Sequence, residues 1–92
     1  MRTINESTTF RRDYKRERKG QHRATIVADL TAAVIALAAD SLLEPRLRDH
    51  ALSGDWSGYR ECHLRPDLLL NYRKVGDHVL TLIRLGSHSE LF

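Results

Sequence analysis

A chain of 92 residues with 41% hydrophobic residues predicts one folded domain with a single core, spanning residues 1–92. Its one cysteine, Cys62, excludes an internal disulfide, and no charged-then-apolar pattern near the start indicates a signal peptide. Polar side chains interrupt the longest apolar-rich stretch, residues 24–43, which favours a core helix over a membrane span. We therefore expect a cytoplasmic protein with no membrane partner.

The positive charge of the chain is concentrated near its beginning. Residues 1–25 contain eight Arg and Lys against three acidic residues, whereas residues 26–92 contain seven against nine. Such a run is either a solvated helix face or a surface for a polyanion or an acidic partner. The charge pattern alone leaves both interpretations open.

The first half of the sequence predicts a short strand over residues 2–5, followed by two helices. Ser7 or Thr8 is a suitable N-cap for a helix that ends near Gly20. Residues 22–41 carry apolar side chains at a period of 3.6, which predicts a second helix.

The second half predicts a long loop followed by a β-meander. Pro45 prevents any continuation of the second helix, and loops as long as residues 44–58 are usually functional in a domain of this size. Turn residues then separate three predicted strands, at residues 59–64, 68–75 and 78–85. The expected fold class is α+β in the order β-α-α-β-β-β, an antiparallel sheet with both helices packed on one face.

Five polar side chains are expected near one end of this sheet. The strands that start at residues 59 and 78 run in the same direction, so His63 and Arg84 fall near the same end. Asp67 lies in the turn at that end and His88 lies just beyond it. Only the position of His50 depends on how the loop folds.

These side-chain types suit cleavage of RNA without a metal. A base must take the 2′-hydroxyl proton, an acid must protonate the leaving 5′-oxygen, and a cation must stabilise the charged phosphorane. Histidine, with a pKa of about 6.5, serves either proton-transfer role, and the arginine fork matches phosphate oxygens. Structural roles stay open: Arg84 could pair with Glu61 or Asp67, and Asp67 could simply form a turn. His22 and His78 are interpreted as ordinary structural residues.

A zinc site is the competing interpretation of the same region. His50, Cys62, His63, Asp67 and His88 are all possible ligands. Cys62 and His63 are adjacent in a predicted strand, however, and point to opposite faces. No paired ligand motif of the C-x-x-C or H-x-x-x-H type occurs, so we expect no bound metal and no cofactor.

Two motifs carry a resemblance to a known family. Residues 50–67 read HALSGDWSGYRECHLRPD, which resembles the H-x-L-x-G-x-W-x-G-x-R-x-x-H-x-x-P-D signature of YafQ-type toxins in the RelE superfamily. Residues 84–92 read RLGSHSELF, similar to the closing R-x-G-[ST]-H-x-x-L-F of that family. Leu68 departs from the pattern, since some relatives carry an aromatic residue there.

The resemblance implies a toxin of a type II toxin–antitoxin pair that cuts messenger RNA in the ribosomal decoding site. Carried over by motif, the acid–base group would be His50, His63, Asp67 and His88. Arg84 would stabilise the transition state, and Phe92 would stack on or position a base. The favoured assignment of roles is His88 as the acid and Asp67 or His63 as the base.

The resemblance also implies partners. Basic residues of the first helix would bind the phosphates of ribosomal RNA, among them Arg11, Arg12, Lys15 and Arg16. A cognate antitoxin would bind in a heterotetramer of two toxins and two antitoxins, and operator DNA would be contacted only through the antitoxin. A non-catalytic RNA- or protein-binding module is the second functional class, but binding alone would not require five titratable or charged site positions together with Phe92.

Overall fold

Five strands form one sheet in the computed structural model of the chain, which describes residues 1–92. In chain order the strands are β1 Thr3–Glu6, β2 His50–Ala51, β3 Arg60–Arg65, β4 Leu68–Val75 and β5 Val79–Gly86. The helices are α1 Thr8–Glu17, α2 Ile26–Ala38 and the short α3 His88–Leu91. None of them combines the length and apolar character that crossing a bilayer requires.

The strand order is β1-β5-β4-β3-β2, and all neighbours are antiparallel except β1 and β5, which are parallel. The predicted α+β class and the order of the six predicted elements are confirmed, and the structure adds β2 and α3. The expectation of an antiparallel sheet is wrong at β1. The reason is the connection from β1 to β5: it runs through both helices and the other strands, so no hairpin dictates the direction of β1.

The apolar core lies between the two long helices and one face of the sheet. Phe10 from α1 and six residues of α2 meet alternating side chains of β3, β4 and β5. The cluster consists of Phe10, Ile26, Leu30, Ala33, Val34, Leu37, Ala38, Cys62, Leu64, Leu68, Leu70, Tyr72, Leu80, Leu82 and Leu85. Both long helices therefore pack on one face, as predicted, and the only helix on the other face is the short α3.

Helix α1 begins at the predicted cap. The Ser7 hydroxyl accepts a hydrogen bond from the Phe10 N–H at 2.9 Å, which satisfies one of the free donors of the first turn. The helix ends at Glu17, before Gly20, and residues 18–25 form turns that lead into α2.

Helix α2 ends well before Pro45. Asp40 adopts a left-handed conformation (φ +56°), its N–H bonds to the Leu37 carbonyl, and the Ser41 N–H bonds to the Ala36 carbonyl. This pair of bonds is the Schellman arrangement that closes many helices, with aspartate in the position usually taken by glycine. The predicted range of residues 22–41 was therefore too long at both ends.

Helix α1 also covers the part of the β5 edge that β1 leaves open. The Ser7 N–H bonds to the Leu82 carbonyl at 2.9 Å, at the end of β1. Further along, the Asp13 carboxylate accepts from the Leu85 N–H at 3.0 Å, and Arg16 donates to the Leu85 carbonyl at 3.1 Å. Side chains of α1 thus replace a strand partner, because buried backbone groups need hydrogen bonds.

The loop predicted at residues 44–58 contains two short 3-10 turns and strand β2. Strand β2 pairs with β3, with His50 opposite Glu61 and Ala51 opposite Arg60. The Tyr72 hydroxyl donates to the Asp49 carboxylate, and Arg60 forms an ion pair with the same carboxylate at 3.3 Å. These contacts attach the loop to the sheet directly before His50.

Candidate functional site

A row of four polar side chains crosses the sheet on the face away from the helices. His50 pairs with Glu61, Glu61 with Asn71, and Asn71 with Arg84. Residues directly opposite one another in a sheet point to the same face, so this row shares one surface. Glu61 and Asn71 are buried, and none of the four belongs to the apolar cluster.

His50 and His63 lie together with Glu61. One ligand-type atom from each of the three residues falls within 4.8 Å of the others, and the two imidazole ring centres are 6.2 Å apart. From the sequence, Glu61 is expected only as a possible partner for Arg84. Its position two residues before His63 in a strand was the available signal, because i and i+2 side chains share a face.

The ring of His50 is held in a defined orientation. Its Nδ1 lies 2.7 Å from the Arg48 carbonyl, which can only accept, so Nδ1 carries a proton and donates it. Arg48 adopts a left-handed conformation (φ +48°) that gives this carbonyl its direction. Nε2 lies 3.4 Å from the Glu61 carboxylate. With the proton on Nδ1, the Nε2 of a neutral His50 carries the free lone pair.

Arg84 pairs with Asp13 of α1, and not with Glu61 or Asp67. Its Nε donates to Asp13 at 2.8 Å and its Nη2 donates at 3.3 Å, whereas Nη1 makes no hydrogen bond within the chain. Burial by itself raises the pKa of Asp13. The opposing effects are larger and lower the pKa: the hydrogen bond from Arg84, the hydrogen bond from the Leu85 N–H, and the charges of Arg84 and Arg16. Asp13 thus remains a carboxylate and fixes the arginine, while one edge of the guanidinium stays free.

The tail that carries His88 is anchored on the same face as His63. His63 pairs with Leu69, and Leu69 pairs with Gly86. A Cβ on Gly86 would lie 3.4 Å from Leu91 and 3.1 Å from Glu90, so α3 packs directly over this glycine. Gly86, from which the tail leaves the sheet, therefore lies on the same face as His63, and a shared site for His63 and His88 stays a prediction.

Helix α3 is held in place by a capping box and an ion pair. The Ser87 N–H donates to the Glu90 carboxylate at 2.8 Å, and the Glu90 N–H donates to the Ser87 hydroxyl at 3.3 Å. Glu90 also pairs with Arg16 at 3.1 Å. The backbone bond from Ser87, above all, lowers the pKa of Glu90, although partial burial opposes it. Arg16 therefore holds α1, β5 and the tail together, which leaves it less available for docking than the sequence suggested.

An aromatic chain links the tail to the loop. The His88 and Phe92 rings are 5.2 Å apart, and Phe92 meets Trp56 edge-on at 5.9 Å. Trp56 in turn contacts Tyr59 at 5.6 Å, so the loop and the tail meet through aromatic rings. Phe92 and His88 are both exposed, so the two side chains form an accessible aromatic edge beside the site.

Asp67 is engaged elsewhere. Its two carboxylate oxygens contact Gln21 at 2.6 Å and His22 at 2.9 Å, both in the turn before α2. No hydrogen bond joins Asp67 to His50, His63 or His88. His22, interpreted from the sequence as an ordinary residue, is thus the partner of a residue predicted to be catalytic.

The possible metal ligands differ from the set considered in the sequence. Cys62 is fully buried in the apolar core, on the opposite face from His63, and burial, followed by the nearby Asp49 and Glu61 charges, raises the pKa of its thiol to about 12. His50, Glu61 and His63 offer two imidazoles and a carboxylate within reach of one ion, a donor set that divalent transition metals accept.

Comparison with known proteins identifies the family of the chain. Residues 2–92 match the family model described as a bacterial toxin of a type II toxin–antitoxin system, YafQ. The chain is 35% identical to the mRNA interferase toxin YafQ of Escherichia coli strain B over 93 residues, covering 100% of this chain and 97% of the relative. The corresponding toxin of strain K12 aligns over 45 residues at 47% identity, which is 49% of this chain and 48% of that relative.

Solved structures show the same fold. A crystal structure of YafQ from Escherichia coli superposes with a TM-score of 0.84 at 32% identity, covering 100% of this chain and 99% of the other. A copper-bound mutant toxin from Helicobacter pylori superposes with a TM-score of 0.86 at 37% identity over 100% of both chains. YafQ in the DinJ–YafQ complex of Escherichia coli gives 0.80 at 33% identity, with 100% and 99% of the chains covered. The matched range, the two sequence motifs and the fold agree, and the chain belongs to the YafQ family of bacterial toxins of type II toxin–antitoxin systems.

Proposed function

We propose that this chain is an mRNA interferase, an endoribonuclease that cuts messenger RNA in the ribosomal decoding site without a metal. The observation that carries the proposal is the cluster of His50, Glu61 and His63 on the face of the sheet that also carries the His88 tail. The printed name of the Escherichia coli relatives, mRNA interferase toxin, supports the same activity.

In this proposal His50 is the general base. Its Nε2 takes the 2′-hydroxyl proton, the 2′-oxygen attacks the phosphorus, and Glu61 stabilises the protonated ring. The family resemblance favours Asp67 or His63 as the base, but Asp67 is bonded to Gln21 and His22, so His63 is the alternative to His50. The bond from phosphorus to the 5′-oxygen then breaks and His88 protonates that oxygen, which leaves a 2′,3′-cyclic phosphate.

Arg84 stabilises the phosphorane through its free Nη1 edge, since Asp13 already holds Nε and Nη2. Phe92 stacks on or positions a base, next to His88. A metal on His50, Glu61 and His63 would supply Lewis-acid stabilisation of the phosphate, but it would take up the imidazole that serves as the base. Metal-free acid–base chemistry is therefore the proposed mechanism.

Docking on ribosomal RNA is assigned to Arg11, Arg12 and Lys15, which are exposed on α1. Arg11 has one long contact with Glu6 at 3.6 Å, and no carboxylate pairs with Arg12 or Lys15. Arg16 is left out because Asp13, Glu17 and Glu90 surround it. The remaining cations are free to meet phosphates.

A cognate antitoxin is the proposed protein partner. The YafQ of Escherichia coli has been crystallised in complex with the antitoxin DinJ. We propose that this chain binds its own antitoxin as two toxins with two antitoxins, and that operator DNA is contacted only through the antitoxin.

The activity is tested with ribosomes programmed with a defined message, in the presence and absence of the protein. We expect cuts at discrete positions, fragments ending in a 2′,3′-cyclic phosphate, and the same rate after treatment with a chelator. Loss of cutting that returns with added zinc or copper would overturn metal independence. Equally fast, position-specific cutting of the free message would overturn dependence on the ribosome.

Docking is tested with a variant in which Arg11, Arg12 and Lys15 are all replaced by Ala. Each lost phosphate contact should reduce the slope of log affinity against log salt by about 0.7–0.9. The matched variant Lys74→Ala, which removes a charge paired with Asp40 near the other end of the sheet, should leave ribosome binding unchanged. Binding should be measured on the toxin free of antitoxin, and unchanged affinity of the triple variant would contradict this docking surface.

A further inference from the structure

A basic cavity of about 220 Å³ opens beside His63, outside the polar row of the candidate site. No acidic residue lines it, and three of its six lining residues are arginines. The lining consists of Arg46, Arg48, His63, Leu64, Arg65 and Pro66, called the arginine pocket below. The pocket shares His63 with the group of His50, Glu61 and His63, called the catalytic cluster below. A ligand in the pocket therefore lies next to residues of the proposed site.

The arginine pocket carries an excess of positive charge. Arg46 pairs with Glu44 at 2.8 Å, and Arg65 pairs with Asp29 at 2.7 Å. Arg48 has no acidic partner. Neither carboxylate lines the pocket, but each one neutralises its arginine, so the unpaired positive charge of the pocket is that of Arg48. Such a cavity favours an anion, and the planar arginine fork matches the oxygens of a phosphate.

Arg48 connects the pocket to the catalytic cluster through its own backbone. Its left-handed conformation directs its carbonyl to Nδ1 of His50 at 2.7 Å, while its side chain lines the pocket next to His63. A ligand that contacts Arg48 in the pocket therefore lies beside His63 and close to the backbone that orients His50.

We propose that the arginine pocket binds one phosphodiester of the RNA strand adjacent to the scissile one. This inference rests on the proposed ribonuclease function and names a positioning site for it. Holding the neighbouring phosphate places the scissile phosphate between His50 and the His88 tail, and correct placement is what makes acid–base groups effective. RNA is favoured over an acidic segment of a protein partner because the pocket shares His63 with the catalytic cluster.

The test uses ribosomes programmed with short messages that each carry one methylphosphonate, which removes the charge of a single phosphate near the cleavage site. For the unaltered protein, one position adjacent to the scissile bond should slow cleavage by about 10-fold or more, because a charged hydrogen bond is lost. Arg48→Asn should cut the normal message as slowly as the unaltered protein cuts the message with that methylphosphonate. A methylphosphonate at the same position should not slow this variant further. Asparagine is chosen because it tolerates the left-handed backbone better than alanine does.

Arg48→Lys keeps the charge and should recover much of the rate and the sensitivity to that position. Arg46→Gln provides a second variant in case Arg48→Asn lowers the midpoint of thermal unfolding. Lys74→Ala is the matched control and should retain both the rate and the full methylphosphonate effect.

The failures of the two proposals are distinguishable. If the unaltered protein does not cut the normal message, the ribonuclease function is wrong. If it cuts, but the methylphosphonate slows the unaltered protein and the pocket variants equally, the arginine pocket does not bind that phosphate. Pocket variants that cut normally and lose only affinity for the antitoxin would assign the pocket to the protein partner and overturn the inference.

Discussion

Strand β4 carries Leu70 and Tyr72 on one face of the sheet and Leu69 and Asn71 on the other, and the two sets have different surroundings. Leu70 and Tyr72 belong to the apolar cluster under the helices. Asn71 is fully buried in the polar row, and neither its amide nitrogen nor its amide oxygen has a hydrogen-bond partner in the chain. One oxygen of Glu61 is also without a partner.

Buried polar groups without partners cost free energy of folding, so they are rare in a surface that serves only stability. The helical face of the sheet follows the usual rule of complete apolar packing. The opposite face retains unpaired polar atoms between the two histidines and Arg84. The first face stabilises the fold, and the second is the face on which we propose the catalytic site.

The largest effect is expected from His88→Ala on the polar face. Removal of the proposed general acid should lower the cleavage rate by about 10²–10⁴-fold, because acid–base groups contribute on that order. Affinity for the ribosome and the midpoint of thermal unfolding should be nearly unchanged, since His88 is exposed. A variant that binds the ribosome poorly would show that this residue serves docking instead.

Leu70→Ala is expected to destabilise the protein by about 2–5 kcal/mol, because it leaves a cavity in the apolar cluster. Chemical denaturation measures the free energy of unfolding. Val27→Ala, on the exposed side of α2, is the control and should change it by less than about 0.5 kcal/mol. The folded fraction of Leu70→Ala should still cleave normally, and a loss of activity beyond the loss of folded protein would contradict the division between the two faces.

Asp13→Asn should cost about 2 kcal/mol at neutral pH, since it removes the charge that holds Arg84. The folded-state pKa of Asp13 is lowered, so its contribution is present above the ordinary pKa of about 3.9 and disappears as the pH falls through the folded value. The difference in unfolding free energy between the two proteins should therefore shrink below about pH 4. A difference that stays constant down to pH 2 would show that the carboxylate charge is not responsible.

The smallest effect on stability is expected from Asn71→Leu. Replacement of two unpaired polar atoms by an apolar group of similar size should raise the free energy of unfolding by about 1 kcal/mol. The same change should slow cleavage, because it replaces a polar amide by an apolar group between Glu61 and Arg84 in the row of the proposed site. Thermal unfolding and the cleavage assay report the two effects separately, and a destabilised variant would mean that Asn71 has a structural partner.

Local patterns in the sequence predicted most of the elements well. The bounds of β4 were correct, and β3 and β5 were each displaced by one residue, because alternating side chains and turn residues are local signals. The end of α2 was missed, since aspartate at position 40 is not the residue that a left-handed helix terminus usually takes. Pro45 follows the observed end of α2 by several residues, so it does not terminate the helix, contrary to the interpretation from the sequence.

The sequence by itself determined the two motifs, the strand that carries His63 and the tail that carries His88. Only the tertiary structure decided the partners of these groups. Asp13 and Arg84 are 71 positions apart, and Asp67 and His22 are 45 positions apart. Glu61 joins His50 only because β2 and β3 pair in one particular register. Such contacts depend on which sheet edge a helix covers and on the register in which strands align. Both follow from the packing of the whole chain. No local pattern specifies a partner so distant in sequence.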